Sequence, residues 1–536
     1  MKELKAENFL KYDYSTNGSI HEIDIQAFQA FKIESVLLEI KLNEIPKFWR
    51  GADYKWHPLL LTNQVANYHS PKLLKVSSGD YLLGMDSKGC WEWDAINKVL
   101  NWYLIHPDLN PTFQYNKDDK RDWIKEISVG SSWSMKLRLF SGKGPIPELA
   151  RTPLGFIPTV SFTDHCDFDT PRLLKCQRVF FKKAGIKTTK GFFTHTFSHK
   201  GEYAALDQES MKSEFQSWEE DGHELAYHAL SRSFREESWK EFQNLKSPPD
   251  LQPIKTYIDH GFLPYNYTKQ GSDNYLKWYR HMNDCGVKLI WNYLDVMEGT
   301  ALTNNQLNPF DSSIKSISES LEYHKKEGLP VDKDRNTKTW LSFGTSEDFD
   351  KAVKNLSGNV IRLKKSSDFF IPTLKALGKT TIAALNPEIW IKNLFKKEEP
   401  FHFARFTPVF FRAIDQIETD IQVFQTVSVK DFDSVFSNIS LNKLLDECGL
   451  MIAHTYFAYL GGNHPGRLFE DETGKIRLGA ETSLSNLGNL IQQEKVWNPT
   501  AFELMEYHSK LFEAKILYEN GKLIYENAPG PLRWIN

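Results

Sequence analysis

Hydrophobic and polar positions along the chain fall into two regimes that meet near residue 150. Before it, Phe31–Leu42 and Ser134–Phe140 alternate partly in polarity, and turn signals recur at Thr16-Asn17-Gly18, Ser78-Gly79-Asp80 and Ser141–Pro145. That pattern predicts short antiparallel strands joined by tight turns. After it, apolar runs alternate with amphipathic segments. Gly155–Ser161 reads as a buried strand and Pro171–Ala184 as a helix; Ile186–His195 reads as a second strand and Gln208–Asp221 as a second helix. Ser233–Gln243 reads as helical, Ile254–Gly261 as a short apolar run, Leu276–Asp284 as a helix and Val287–Asp295 as a strand. A β-then-α rhythm implies parallel strands covered by helices.

The rhythm breaks between about 300 and 400, where Ser312–Lys326 and Thr373–Phe395 read as helices of an insertion over the barrel rim, and Thr337–Thr345 as a possible strand. It resumes with strands at Phe406–Phe411 and Ile421–Val429, a helix at Leu441–Cys448 and a strand at Gly449–Tyr456. Asn498-Pro499-Thr500 signals the start of a helix running to Ile516, and Tyr518–Tyr525 a closing turn and strand. The expected organisation is a β-rich accessory domain over 1–150 and an α/β domain over 151–536.

Composition narrows the function classes. A chain of 536 residues with net charge −3 has no electrostatic footprint for nucleic acid or anionic membrane. Five scattered cysteines, with no Cys-x-x-Cys pair, argue against a disulfide framework and a thiolate zinc site. No run reaches the roughly twenty apolar residues of a membrane span. The first residues lack the apolar core of a secretory signal, so the expected location is cytoplasmic. Seven of the fifteen tryptophans fall before residue 150, which fits a β core better than a set of sugar-stacking faces.

Candidate chemistry gathers at the ends of the predicted strands: Asp164, His165 and Asp167 after the first, then His228, Asp259 with His260, and His454. A strand that ends in carboxylates and an imidazole is costly as packing, and a barrel delivers such groups to its C-terminal face. Asp with His is the usual donor set for Zn, Co, Ni or Fe. Asp169 and Thr170 read instead as the cap of the following helix.

These residues resemble, in order, the motifs of the NodB-homology polysaccharide deacetylases. Ser161-Phe162-Thr163-Asp164-His165 is similar to the first motif, and Gly222-His223-Glu224 through His228 and Arg232 to the second. Leu263-Pro264-Tyr265, Trp291 to Asp295 and Leu450–His454 are similar to the later ones. The resemblance implies a distorted (β/α) barrel of about seven strands and removal of N-acetyl (or O-acetyl) groups from a carbohydrate or glycan precursor. It implies a divalent metal, with Zn foremost. Asp164 would be a ligand or the base, His228 a ligand, and His165, Asp167 or His260 the third ligand. His454 would be the acid, Asp295 a further catalytic group, and Tyr265 and Trp291 substrate contacts.

Arg232 stands where the family has a second metal histidine, and guanidinium does not ligate cations. It fits either an ion pair with a rim carboxylate or bidentate recognition of an acidic sugar. Two other functions follow from the same residues: a metal-free glycan- or protein-binding descendant, and a glycoside hydrolase using Asp164 or Asp167 with Asp295 or Glu298.

Overall fold

The computed structural model describes residues 8–59, 65–115, 121–195, 204–228, 245–259, 272–329, 347–364, 366–387, 397–413, 420–461 and 466–535. Seven parallel strands close into a barrel. They are β1 (Thr159–His165), β2 (Thr189–Phe192), β3 (Glu224–Tyr227), β4 (Thr256–Ile258), β5 (Leu289–Glu298), β6 (Gln422–Ser428) and β7 (Leu450–Thr455). The spatial order is β5-β4-β3-β2-β1-β7-β6, and pairing of β5 with β6 closes the ring. Every residue of β1 and β7 is buried. This is the condition of a parallel strand with side chains inside on one face and helices on the other, and it explains why these strands read as runs rather than alternations.

Local chemistry sets the helices. Thr170 caps Pro171–Ala184 by accepting from the Leu173 amide at 3.2 Å, Pro171 occupies the first turn, and Gly185 ends the helix at φ 70°. Thr500 and Glu503 form a reciprocal capping box that starts Ala501–Glu513. That helix seals the N-terminal end of the barrel: its Ala501 amide donates to Thr189 Oγ1 at 2.7 Å and its Phe502 amide to Glu224 Oε2 at 3.1 Å. Burial raises the Glu224 pKa, against the hydrogen bonds from Thr256 and Thr189, which lower it.

The barrel is uneven. β6 and β7 pair only at Val427 with Ala453 and Ser428 with His454. Below that the seam is filled by Asn305 and Gln306. The Gln306 side chain accepts from the Ile452 amide at 2.6 Å and donates to the Gln425 carbonyl at 3.1 Å, while its own amide donates to Leu450 O at 2.8 Å. Asn305 Oδ1 accepts from the Leu450 amide at 3.1 Å.

Before the barrel, a seven-stranded and a four-stranded antiparallel sheet share one core. Trp91, Trp93 and Trp102 are buried in it, so tryptophan serves packing here. The closing strand Leu532–Ile535 returns to pair with Ile146–Leu149.

Several expectations shift. The second strand is shorter than Ile186–His195. Phe406–Phe411 is no barrel strand: only Phe410–Phe411 is extended, running antiparallel to β6. Between β5 and β6 the longer described elements are the helices Ile314–Glu327, Glu347–Leu363 and Phe370–Ala384. Ser233–Gln243 and Thr337–Thr345 lie outside the described residues. No helix among the described residues is long and apolar enough to cross a membrane.

Because Gln306 satisfies buried backbone groups of both β6 and β7, Gln306→Leu leaves them unpaired. The variant is expected to lose about 2–4 kcal/mol of stability in urea denaturation, from two or more orphaned groups at about 1–3 kcal/mol each. A loss under 0.5 kcal/mol would show the seam to be held by other contacts.

Candidate active site at the barrel mouth

The two faces of β1 carry different chemistry. Asp164 points away from the barrel axis, into a fully buried cluster. It pairs with Lys190 of β2, which also pairs with Asp169. Gln177 on Pro171–Ala184 donates to Asp169 at 2.6 Å and accepts from Lys190 at 3.1 Å. The other Asp164 oxygen accepts from Thr455 Oγ1 at 2.9 Å and the Phe457 amide at 2.8 Å. Burial works against the ammonium of Lys190, but Asp164 and Asp169 outweigh it and hold the pKa above the usual lysine value. With every acceptor committed to the outer layer, Asp164 is not brought together with the imidazoles. His165, one residue on, faces the opposite way.

Three imidazoles meet inside. The His165 ring lies 4.5 Å from that of His228 and stacks on His454 at 4.4 Å. Trp291 is 5.0 Å and Tyr456 4.7 Å from the same ring. Asp167 enters from the turn Cys166–Phe168 that directly follows β1. His228 directs Nδ1 to the Ile258 carbonyl at 2.9 Å and Nε2 to Asp167 Oδ2 at 3.0 Å. The first contact requires a proton on Nδ1, which leaves the Nε2 lone pair of a neutral ring facing a carboxylate. Two acceptors at that separation need either a proton between them or a cation shared by both.

Donor atoms of His165, Asp167 and His228 all lie within 4.8 Å of one another. The set fits a divalent transition metal: two imidazoles, one carboxylate, and a carbonyl that orients one imidazole from behind.

A second unit adjoins it. His454 Nδ1 lies 3.0 Å from both oxygens of Asp295. Trp291 Nε1 donates to Thr426 Oγ1 at 2.8 Å, and Thr426 in turn donates to Asp295 Oδ1 at 2.8 Å. Asp295 therefore fixes the His454 proton on Nδ1 and leaves Nε2, buried and without a hydrogen-bonding partner among the described residues, as the working nitrogen. Trp291 and Asp295 both reach Thr426 because β5 is irregular. Four steps on β5 span two on β6, with Tyr293 between them at φ 58°.

Comparison with known proteins is sparse. No family model and no curated protein matches the chain. Three solved structures are similar in part. A β-arabinopyranosidase shares 10% identity, covering 52% of this chain and 49% of its own, with a TM-score of 0.20. A family 31 α-xylosidase from a soil metagenome, solved with xylose, shares 13% over 52% and 39%, with a TM-score of 0.19. A family 31 dextranase from Flavobacterium johnsoniae, solved with glucose, shares 10% over 95% and 62%, with a TM-score of 0.22. The chain thus spans less than two thirds of each of them, and none of the three is a NodB-type deacetylase.

Of the residues expected at the site, His165, Asp167, His228, Trp291, Asp295 and His454 come together. Asp164 does not, and Arg232, His260 and Tyr265 lie outside the described residues. Asp259 is buried at the end of β4, and Glu298 at the end of β5. Tyr456 and Thr426 were not anticipated. Tyr456 lies two positions beyond His454, a period-two signal that was readable; Thr426 lies inside an apolar run that carries none.

His228→Ala removes a donor and the orienting contact to Ile258. Metal content of the purified chain, read by inductively coupled plasma mass spectrometry after equilibration with Zn²⁺, is expected to fall from near one equivalent. The affinity loss should exceed the roughly 10–100-fold typical of an outer-layer partner. Equal metal content in the variant would remove His228 from the ligand set.

Proposed function

We propose that the barrel mouth hydrolyses a bond in a carbohydrate substrate, with metal-dependent removal of an N-acetyl, or alternatively an O-acetyl, group as the reaction. The observation that supports it is the contact, through His165, of a metal-type donor set with an Asp–His dyad. A divalent cation held by His165, Asp167 and His228 would supply a Lewis acid and lower the pKa of a coordinated water from about 15.7 towards 7. The chain's own residues do the rest. His454 Nε2 takes a proton from the attacking water and then delivers it to the leaving amine or alcohol, and Asp295 stabilises the imidazolium that forms between these two transfers. Trp291 and Tyr456 wall the imidazoles, and the partly exposed Tyr456 offers a face against which a sugar ring can pack. Asp164 has no part in these steps, because Lys190 and the Phe457 amide already occupy it.

A second reading is a glycoside hydrolase on the same barrel, a reaction class shared with the glycosidases named above. What favours it in this chain is that Asp167 and Asp295 lie on opposite sides of the imidazole cluster. Such enzymes place two carboxyl groups about 5–9.5 Å apart across the scissile bond.

Acetylated oligosaccharides incubated with the metal-loaded chain separate these readings. Deacetylation releases acetate without new reducing ends; glycosidic cleavage does the reverse; a binding protein releases neither. His454→Ala is expected to lower kcat by about 10²–10⁴ with metal content unchanged. Release of reducing sugar alone would replace the first reading by the second.

A further inference from the structure

A second cluster of buried titratable groups lies behind the barrel, at the end opposite the mouth. There the later turns of Ala501–Glu513 meet the N-terminal strands around a cavity of about 120 Å³. Lys72, Arg151, His69 and His508 line it together with two carboxylates, Asp86 and Glu148. Both carboxylates are committed elsewhere. Glu148 is held by Arg50 at 2.8 Å and Arg533 at 2.7 Å, and Asp86 by Arg138 at 2.9 Å.

The two remaining cations are buried and have only neutral acceptors. Lys72 donates to the Ser87 carbonyl at 2.6 Å. Arg151 donates to the carbonyls of His69 at 3.1 Å and Cys448 at 2.8 Å, and lies over the Tyr54 ring. Lys72 is 4% and Arg151 7% exposed, so water screens neither well. A buried cation without a counter-charge is costly.

The imidazoles point the same way. His69 and His508 stand 5.0 Å apart by ring centroids. Among the described residues, neither nitrogen of the fully buried His508 has a hydrogen-bonding partner, nor does Nε2 of His69. Four donor-bearing side chains thus line a space with room for at least a few heavy atoms. Burial lowers the pKa of Lys72 to about 8 and that of His508 to about 3. An anion beside them would offset that penalty. Cys90 and Asp86 act on Lys72 in the opposite sense to burial.

We propose that this cavity binds a small oxyanion of the phosphate class, held by Lys72 and Arg151 with His69 and His508 as further hydrogen-bond donors. The assignment is independent of the chemistry at the mouth.

Isothermal titration calorimetry of the full chain with sodium phosphate, against matched sodium chloride, tests it. The expected result is saturable 1:1 binding, weakened roughly ten- to a hundredfold in Lys72→Met, as for loss of a charge-assisted hydrogen bond. Binding should also be weaker at pH 9.5 than at pH 7, because the Lys72 ammonium is then largely deprotonated. Should Lys72→Met fail to fold, His508→Gln and the thermal protection of the unaltered chain by phosphate over chloride take its place. Absence of saturable binding, unchanged affinity in the variants, or binding of acetate but not phosphate would each overturn the proposal.

Discussion

The buried triad of Lys190 with Asp164 and Asp169 is the constraint on which the mouth depends. Lys190 belongs to β2, Asp164 to β1 and Asp169 to the turn before Pro171–Ala184, so one ammonium fastens two strands and a helix at the same level. Breaking such a cluster by removing the cation leaves carboxylates buried without a partner, at a cost of about 3–5 kcal/mol. Its geometric effect matters as much. Alternation along a strand is strict, so holding Asp164 outward obliges Thr163 and His165 to face in. The histidine that touches both other imidazoles is placed by a contact on the far side of the sheet.

That constraint also explains what the sequence could and could not reveal. The rhythm of runs and amphipathic segments was enough for a barrel, since β1 and β7 are buried on both faces, and the capping residues Thr170, Pro171 and Thr500 announce their helices. The polar strand ends drew attention to His165, Asp167, His228 and His454 because charge next to an apolar run is expensive unless it is used. Asp164 drew the same attention for the same reason. Nothing local distinguishes it from His165, because its partner Lys190 lies 26 positions away in a segment that reads as an ordinary strand. The resemblance to the deacetylase motifs carried the ambiguity along, since a shift of one residue exchanges the two faces.

Other features were hidden for related reasons. The filling of the β6–β7 seam by Asn305 and Gln306 is a long-range arrangement, bridging to Gln425, Leu450 and Ile452. Two amides in a polar stretch give no hint of it. The irregularity in β5 is equally silent, because Trp-Asn-Tyr-Leu-Asp suggests no bulge and its positive-φ residue is a tyrosine rather than a glycine. Yet without those extra positions Trp291 and Asp295 would not both reach Thr426.

Hydrogen-bond polarity at Asp295 bears on the choice between the two hydrolytic readings. Trp291 can only donate, so Thr426 Oγ1 accepts from it and turns its own proton to Asp295 at 2.8 Å rather than to the more distant Leu294 carbonyl at 3.4 Å. The same carboxylate takes the Nδ1 proton of His454 across both of its oxygens. Asp295 is thus surrounded by donors and is arranged to accept, as a group that orients an imidazole does. A glycosidic acid must instead hold a proton and present it to the substrate oxygen. The nitrogen open to a substrate here is His454 Nε2, free to take up a proton and return it, which favours cleavage assisted by an imidazole over cleavage between two carboxyl groups.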